Sequence, residues 1–323
     1  MEKASIFSAA GLPLPGLARP PAPACPHPAT RAPRAPEGEA CARLYPAPAA
    51  LAGALVAVVC RDIRGLGLTD AQRLSHFCAS PLLALSWFQD FEVGVVRERG
   101  GQPCWTPYGA SVVLSGSQSH PFTSWAPSAG RGGMVCMTAD AVRALFGLDP
   151  STLQDRFVPA HGLLGRAWWP FLDALVAAPD DAATLAVLAQ HLGPRWQAQA
   201  GQQGGMASLR RLGRHWVERL AFQAHQWRLT HSPRQVERRI KAHSGRSLRE
   251  WQGLVRTESL FFAARDRHAA GQPFDWANLA LEHGFSDQAH MTRASRRITG
   301  FTPTDFARRY QEDESFWVYR LWV

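Results

Sequence analysis

Few side chains in the first two hundred residues are spaced for catalysis. His76 stands two residues before Cys78, and Ser117 three before His120. Either pair could set an imidazole beside a nucleophile, but a core or loop position is the simpler reading of both. There is no glycine-rich phosphate loop, no paired-carboxylate motif, no His-Glu-x-x-His and no Gly-x-Ser-x-Gly. The six cysteines, Cys25, Cys41, Cys60, Cys78, Cys104 and Cys136, contain no Cys-x-x-Cys pair, which argues against a structural zinc site and for inert reduced thiols. Trp87, Trp105 and Trp125 stay open between lining an apolar pocket and ordinary packing. No catalytic residue, metal or cofactor is expected, and the chain is read as a non-enzyme.

The basic residues are the ones placed to act together. The 323-residue chain has a net charge of +9. Between Ser208 and Tyr310 it carries 19 Arg and Lys against 9 Asp and Glu, whereas the remainder holds 16 against 17. The whole positive excess therefore lies in the last third, where it favours a polyanionic partner such as nucleic acid. A merely soluble basic surface is the alternative that charge alone leaves open. No apolar run approaches the roughly 20 residues of a membrane helix. The longest, Ala47 to Cys60, is interrupted by Pro48 and Gly53 and reads as a buried strand or helix end. The start of the chain lacks the long apolar region of a signal peptide, so a cytoplasmic location without a membrane partner is expected.

The elements that must position these charges divide the chain. Residues from about Leu12 to Pro48 are dense in Pro and Ala and predict an extended, disordered arm. Short apolar segments, Leu82 to Phe88, Phe91 to Val96 and Ser111 to Leu114, predict strands. Thr138 to Phe146, Trp168 to Ala177 and Ala182 to Leu192 repeat apolar residues at helical spacing. Gln199 to Gly205, polar and glycine-rich, reads as a linker. The expected fold class is α+β. A disordered arm (1–42) precedes a β-rich sensor or dimerisation domain with flanking helices (43–199). An all-α DNA-binding domain (208–310) and an aromatic tail (311–323) follow.

Capping chemistry marks the C-terminal helices. Ser232-Pro233-Arg234-Gln235 offers a hydroxyl cap, a proline suited to the first turn and a Gln to reach back, and Gly245 ends that helix. Ser247 with Glu250 opens a long helix to about His268. Asp275 caps a short helix ending at Gly284, a second runs from Asp287 to Thr299 before Gly300, and Thr302-Pro303 starts another. Two short helices around a glycine turn, with small Ala280 four residues before Gly284, meet the requirements of a helix-turn-helix.

The segment Leu279 to Phe306 closely resembles the C-terminal signature of the AraC/XylS family of transcription regulators. Gly284 to His290, Arg293, and Ile298 to Pro303 match in order and spacing. Ser232 to Gly245 resembles that family's first recognition helix, and the likeness extends over about 100 residues from near Arg214 to Tyr310. The resemblance implies two helix-turn-helix units joined by the long helix, reading successive major-groove segments ~34 Å apart. It places the base-facing positions on Arg234, Glu237 and Arg238, then on Gln288, Ala289, His290 and Arg293. Their chemistry suits the task, since Arg can pair with guanine, Gln with adenine and Glu with cytosine. Lys241, Arg296 and Arg297 are expected nearer phosphates. Three roles stay open: Arg293 could anchor a carboxylate inside the fold, Gln288 could serve the cap, and His290 could be a polar face residue. Val236, Ile240, Trp251, Leu279, Met291, Ile298 and Phe301 are expected in the core.

Two departures stand out. Thr230 occupies the first unit's usual turn glycine, with Gln226 and His225 where small or apolar residues are usual, so an irregular scaffold helix near Val217 to Leu229 is expected. Ser295 replaces a usual Phe in the second unit, at a cost of ~3–5 kcal/mol unless neighbours such as Trp276 or Phe306 fill the space. The aromatic tail, Asp313 to Trp322, resembles the ending of one branch of the family and is expected to pack back on a domain, a partner-binding patch being the alternative. Val113 to Pro159 resembles the sensor domain of bacterial members. The expected function is a sequence-specific regulator whose partners are double-stranded DNA, a small-molecule effector, RNA polymerase and a second copy of the chain. A degenerate regulator acting through protein contacts, or an enzyme domain fused to a DNA-binding module, remains the alternative.

Overall fold

The computed structural model describes residues 24–35, 41–199, 217, 220–222, 224–244, 246–273 and 275–321. Gln199, the first residue of the expected linker, ends a helix, and the rest of that linker (200–205) and most of the arm lie outside the described residues.

The N-terminal domain is built on two antiparallel sheets. The larger orders its strands β1 (Ala42–Tyr45), β2 (Leu55–Asp62), β9 (Arg131–Met137), β4 (Leu83–Gln89), β7 (Val112–Ser115) and β10 (Phe157–Pro159). The smaller orders β3 (Ser75–Phe77), β8 (Phe122–Trp125), β5 (Gly94–Arg99) and β6 (Gln102–Pro107). Alternation along the strands gives the larger sheet two unlike faces. Leu83, Leu85 and Trp87 of β4, with Val135 and Met137 of β9, are buried in one cluster with residues of α1 (Ala139–Phe146), α3 (Trp169–Ala177) and α4 (Asp181–Gln199). The intervening Ala84, Ser86 and Phe88, with Ser115, Met134 and Cys136, line a cavity of about 590 Å³. Ala84, Ser86, Ser115 and Cys136 are small, and they leave space on that face where the helix-covered face is filled. A short α2 (Ala160–Leu164) follows β10.

The C-terminal domain is helical, as capping predicts. The segment 217–228 is helical at its described positions (α5), then come α6 (Pro233–Ser244), α7 (Leu248–Ala269), α8 (Trp276–Glu282), α9 (Gln288–Thr299), α10 (Pro303–Glu312) and α11 (Trp317–Leu321). Ser247 accepts from the Glu250 amide while the Glu250 carboxylate accepts from the Ser247 amide, so the α7 capping box is closed.

The two domains are docked on each other. The Ala79 amide donates to the Ile298 carbonyl (2.8 Å), and α6 packs on the 3-10 turn Pro150–Leu153. The tail packs back as expected: the Trp317 indole donates to Ser75 Oγ (2.8 Å), and Arg61 pairs with Glu314 (3.0 Å) while stacking over Trp317 (4.4 Å). Part of the arm expected to be disordered follows a defined path. Cys25 and His27 lie on the smaller sheet, and residues 29–35 run along α10 and the tail, where the Glu314 amide donates to Ala32 O (2.9 Å), the Arg34 amide to Glu312 O (3.1 Å) and Arg309 to Ala29 O (3.0 Å). Arg31 pairs with Asp305 (2.7 Å), and Gln72 ties Pro33 O to the N-terminal domain (2.8 Å). Its carbonyls and its remaining amides both find partners, the Ala35 amide donating to the Glu314 carboxylate (3.2 Å), and these bonds hold the segment.

Candidate nucleic-acid interface

In the second unit Gly284, at φ +73°, turns the chain between α8 and α9. Its neighbour's amide, Phe285 N, returns to Ala280 O (2.9 Å) and closes the end of α8. Ala280 is fully buried, as close helix crossing requires. Arg256 of α7 donates to Gly284 O (3.3 Å) and lies over the Phe285 ring. Leu260, Ala264, Leu279, Ala280, Phe285, Met291 and Ala294 form this unit's own core. Asp287 caps α9 by accepting from the His290 amide (2.6 Å), and that bond holds its carboxyl below the usual range.

Gln288, Ala289, Arg293 and Arg296 of α9 are exposed. Among the described residues, neither arginine has a hydrogen bond or ion pair, so Arg293 does not anchor a carboxylate. His290 is half-buried: its Nδ1 lies 3.2 Å from Ser286 Oγ and its ring stands edge-on to Phe285 (5.4 Å). Ser295 is fully buried, yet its hydroxyl donates to Phe301 O (2.7 Å). The position thus carries a satisfied polar contact where an aromatic was expected, and Phe306 packs elsewhere, against Phe261 (4.4 Å) and Phe316.

The first unit is built differently. Ser232 and Gln235 form the predicted reciprocal cap on α6. Thr230 is not left-handed. The turn closes instead through His231 N and Thr230 N, both donating to Trp227 O (2.9 and 3.2 Å). Arg234, Glu237 and Arg238 are exposed, and the two arginines have no ion pair among the described residues. Lys241 is engaged by Glu237 (3.1 Å) one turn earlier. Lys241 and Arg297 also line a polar cleft of about 330 Å³ with His120, Arg246 and Glu250, between this unit, the end of α9 and the N-terminal domain. These two expected phosphate contacts therefore line one cleft, whose lining does not include Arg293 or Arg296.

Residues 227–309 match the model of a helix-turn-helix domain. That segment is an AraC-type helix-turn-helix domain. No protein of curated function matches the chain. Among solved structures the chain is similar to ToxT of Vibrio cholerae. An apo form has 10% identity and a TM-score of 0.37 over 77% of this chain and 95% of that one. A form bound to unsaturated fatty acid has 10% identity and a TM-score of 0.33 over 72% and 93%. Among the described residues no helix is long and apolar enough to cross a membrane.

Behind the AraC-type domain lies the cavity of the N-terminal sheets, closed on one side by α7 through Leu254, Thr257, Glu258 and Phe261. Trp125 lines it, Trp105 stands edge-on to Trp125, and Trp87 lies on the opposite, helix-covered face. Cys78 also lines it, and burial raises its thiol to about 12. His76 is buried nearby, with Nδ1 3.0 Å from Thr123 Oγ1 and its ring against Phe301 and Phe316. Among the described residues no hydrogen bond joins His76 to Cys78. Glu258 is the residue sequence reasoning passed over. It lies four residues after Leu254 and three before Phe261, on the apolar stripe of α7, and an acidic residue on such a stripe was the available signal. Burial raises its carboxyl to about 7.

Proposed function

We propose that the chain regulates transcription by sequence-specific binding to double-stranded DNA through α6 and α9, modulated by a small molecule held in the cavity. The observation that carries the DNA reading is the pairing of two capped helices, each presenting to solvent arginines that have no hydrogen bond or ion pair among the described residues: Arg234 and Arg238, and Arg293 and Arg296. Free guanidinium groups on an exposed helix suit bidentate base recognition and phosphate contact. The effector reading rests on a cavity that touches both the N-terminal sheets and α7, the helix joining the two units. A ligand there would bias the arrangement of the reading helices through its differential contacts.

Selection of bound sites from random duplexes tests the first part, and a steep fall in affinity with salt should accompany it. Arg293→Ala should weaken binding by ~1–3 kcal/mol and relax one position of the selected site. An unenriched pool would overturn sequence-specific regulation. The packing of α6 on Pro150–Leu153 favours a second reading, in which the first unit works through protein contact. In that case Arg234→Ala with Arg238→Ala should leave the selected site unchanged.

A further inference from the structure

The charges around the cavity are unequally satisfied. Arg61 is held by Glu314 and Trp317. Arg73 donates to the Ala126 and Pro127 carbonyls (both 3.0 Å) and pairs with Asp70. Arg265 pairs with Asp266 (2.5 Å), and His268 meets Gln311 (2.7 Å). Glu258 has neither a hydrogen bond nor an ion pair among the described residues. Its side chain is exposed and borders the cavity. Leu254 and Phe261, one turn away on either side along α7, and Cys78 line the same cavity and are apolar or nearly so.

A carboxylate that borders an apolar cavity without a hydrogen bond or ion pair offers a charge-assisted hydrogen bond to a cation brought into that space. An anion would meet a carboxyl there and cations already engaged. A space of about 590 Å³ suits one small organic molecule. We propose that the cavity binds an apolar molecule bearing a basic amine, with the amine donating to the Glu258 carboxylate and the apolar body lying between the two sheets. The effector role of such a ligand rests on the regulatory reading above, whereas its binding does not. The raised carboxyl of Glu258 agrees, since a bound cation would restore its ionised form.

The test uses the full chain, isothermal titration and three probes of one length: decylamine, decanol and decanoate, each below its micelle concentration. Decylamine should bind about ten- to a hundred-fold more tightly than the other two, the range of a charge-assisted hydrogen bond. Glu258→Gln should remove that preference and leave decanol binding unchanged. Ala84→Phe, which fills the cavity from β4, should abolish binding of decylamine. Tighter binding of decanoate than of decylamine overturns the proposal. So does a preference that survives Glu258→Gln, or decylamine binding that survives Ala84→Phe. DNA affinity measured with and without decylamine separates the two readings. An unchanged value overturns the effector role while the ligand class stands.

Discussion

The two helix-turn-helix units differ in where their cores belong. The second has a cluster of its own, with Leu279 and Met291 facing Leu260 of α7. In the first, Val236 and Ile240 lie in the same buried cluster as Leu153 and the helix-covered face of the large sheet. One unit is thus a module set against the N-terminal domain, and the other is partly an extension of that domain. The difference suggests that a change in the N-terminal domain reaches α6 by direct packing. It reaches α9 through α7 and through the contacts around Phe301.

The largest test of this contrast removes one core residue from each unit. Leu279→Ala and Ile240→Ala should each cost ~2–5 kcal/mol, the usual range for a buried aliphatic side chain. Amide hydrogen exchange should separate them. Leu279→Ala should loosen α8 and α9 and leave 151–153 protected, whereas Ile240→Ala should expose the amides of 151–153 as well. If exchange at 151–153 ignores Ile240→Ala, the first unit has its own core and the contrast fails.

A somewhat smaller effect distinguishes the docking contacts. α6 meets the N-terminal domain through apolar Val236 and Ile240, but Phe301, just beyond α9, meets it at His76. Burial is the main cause that lowers His76 from 6.5 to about 4, helped by Arg309 and opposed by Asp313. The folded state therefore prefers neutral His76. Its contribution is complete above pH 6.5 and is lost as pH falls toward 4, by up to about 3 kcal/mol. Urea unfolding over that interval should show a steeper acid decline for the natural chain than for His76→Gln. Parallel curves would mean that His76 is not held neutral at the docking contact.

What could be read from the sequence follows from the range of each interaction. Caps act over three or four residues, so Ser232, Ser247, Asp287 and Thr302 placed their helices correctly. The Val236 and Ile240 stripe showed an apolar face but not its partner, because Leu153 lies more than eighty residues earlier. The defined path of residues 29–35 depends on backbone groups meeting α10 and the tail some 280 positions away, which composition does not reveal. The cavity was hidden for a related reason. Alternation in β4 separated Ala84 and Ser86 from Leu85 and Trp87, but only the fold puts a second sheet and α7 opposite the small residues.

The smallest test concerns the two turns. Gly284 is left-handed and has open space where a Cβ would stand, with Arg256 Nε 4.0 Å away. Gly284→Ala should therefore cost only the backbone term, ~1–2 kcal/mol. Thr230 occupies the equivalent turn of the first unit without positive φ, and its hydroxyl lies 2.7 Å from His231 Nδ1. Placing the family's usual residue there should not help. Thr230→Gly frees the unfolded chain and loses the local hydroxyl contact, so a destabilisation within ~1 kcal/mol is expected. Thermal unfolding of both variants checks the pair. A stabilising Thr230→Gly would mean that the turn visits the left-handed form, and that the first unit is a second copy of the α8–α9 design rather than a different solution.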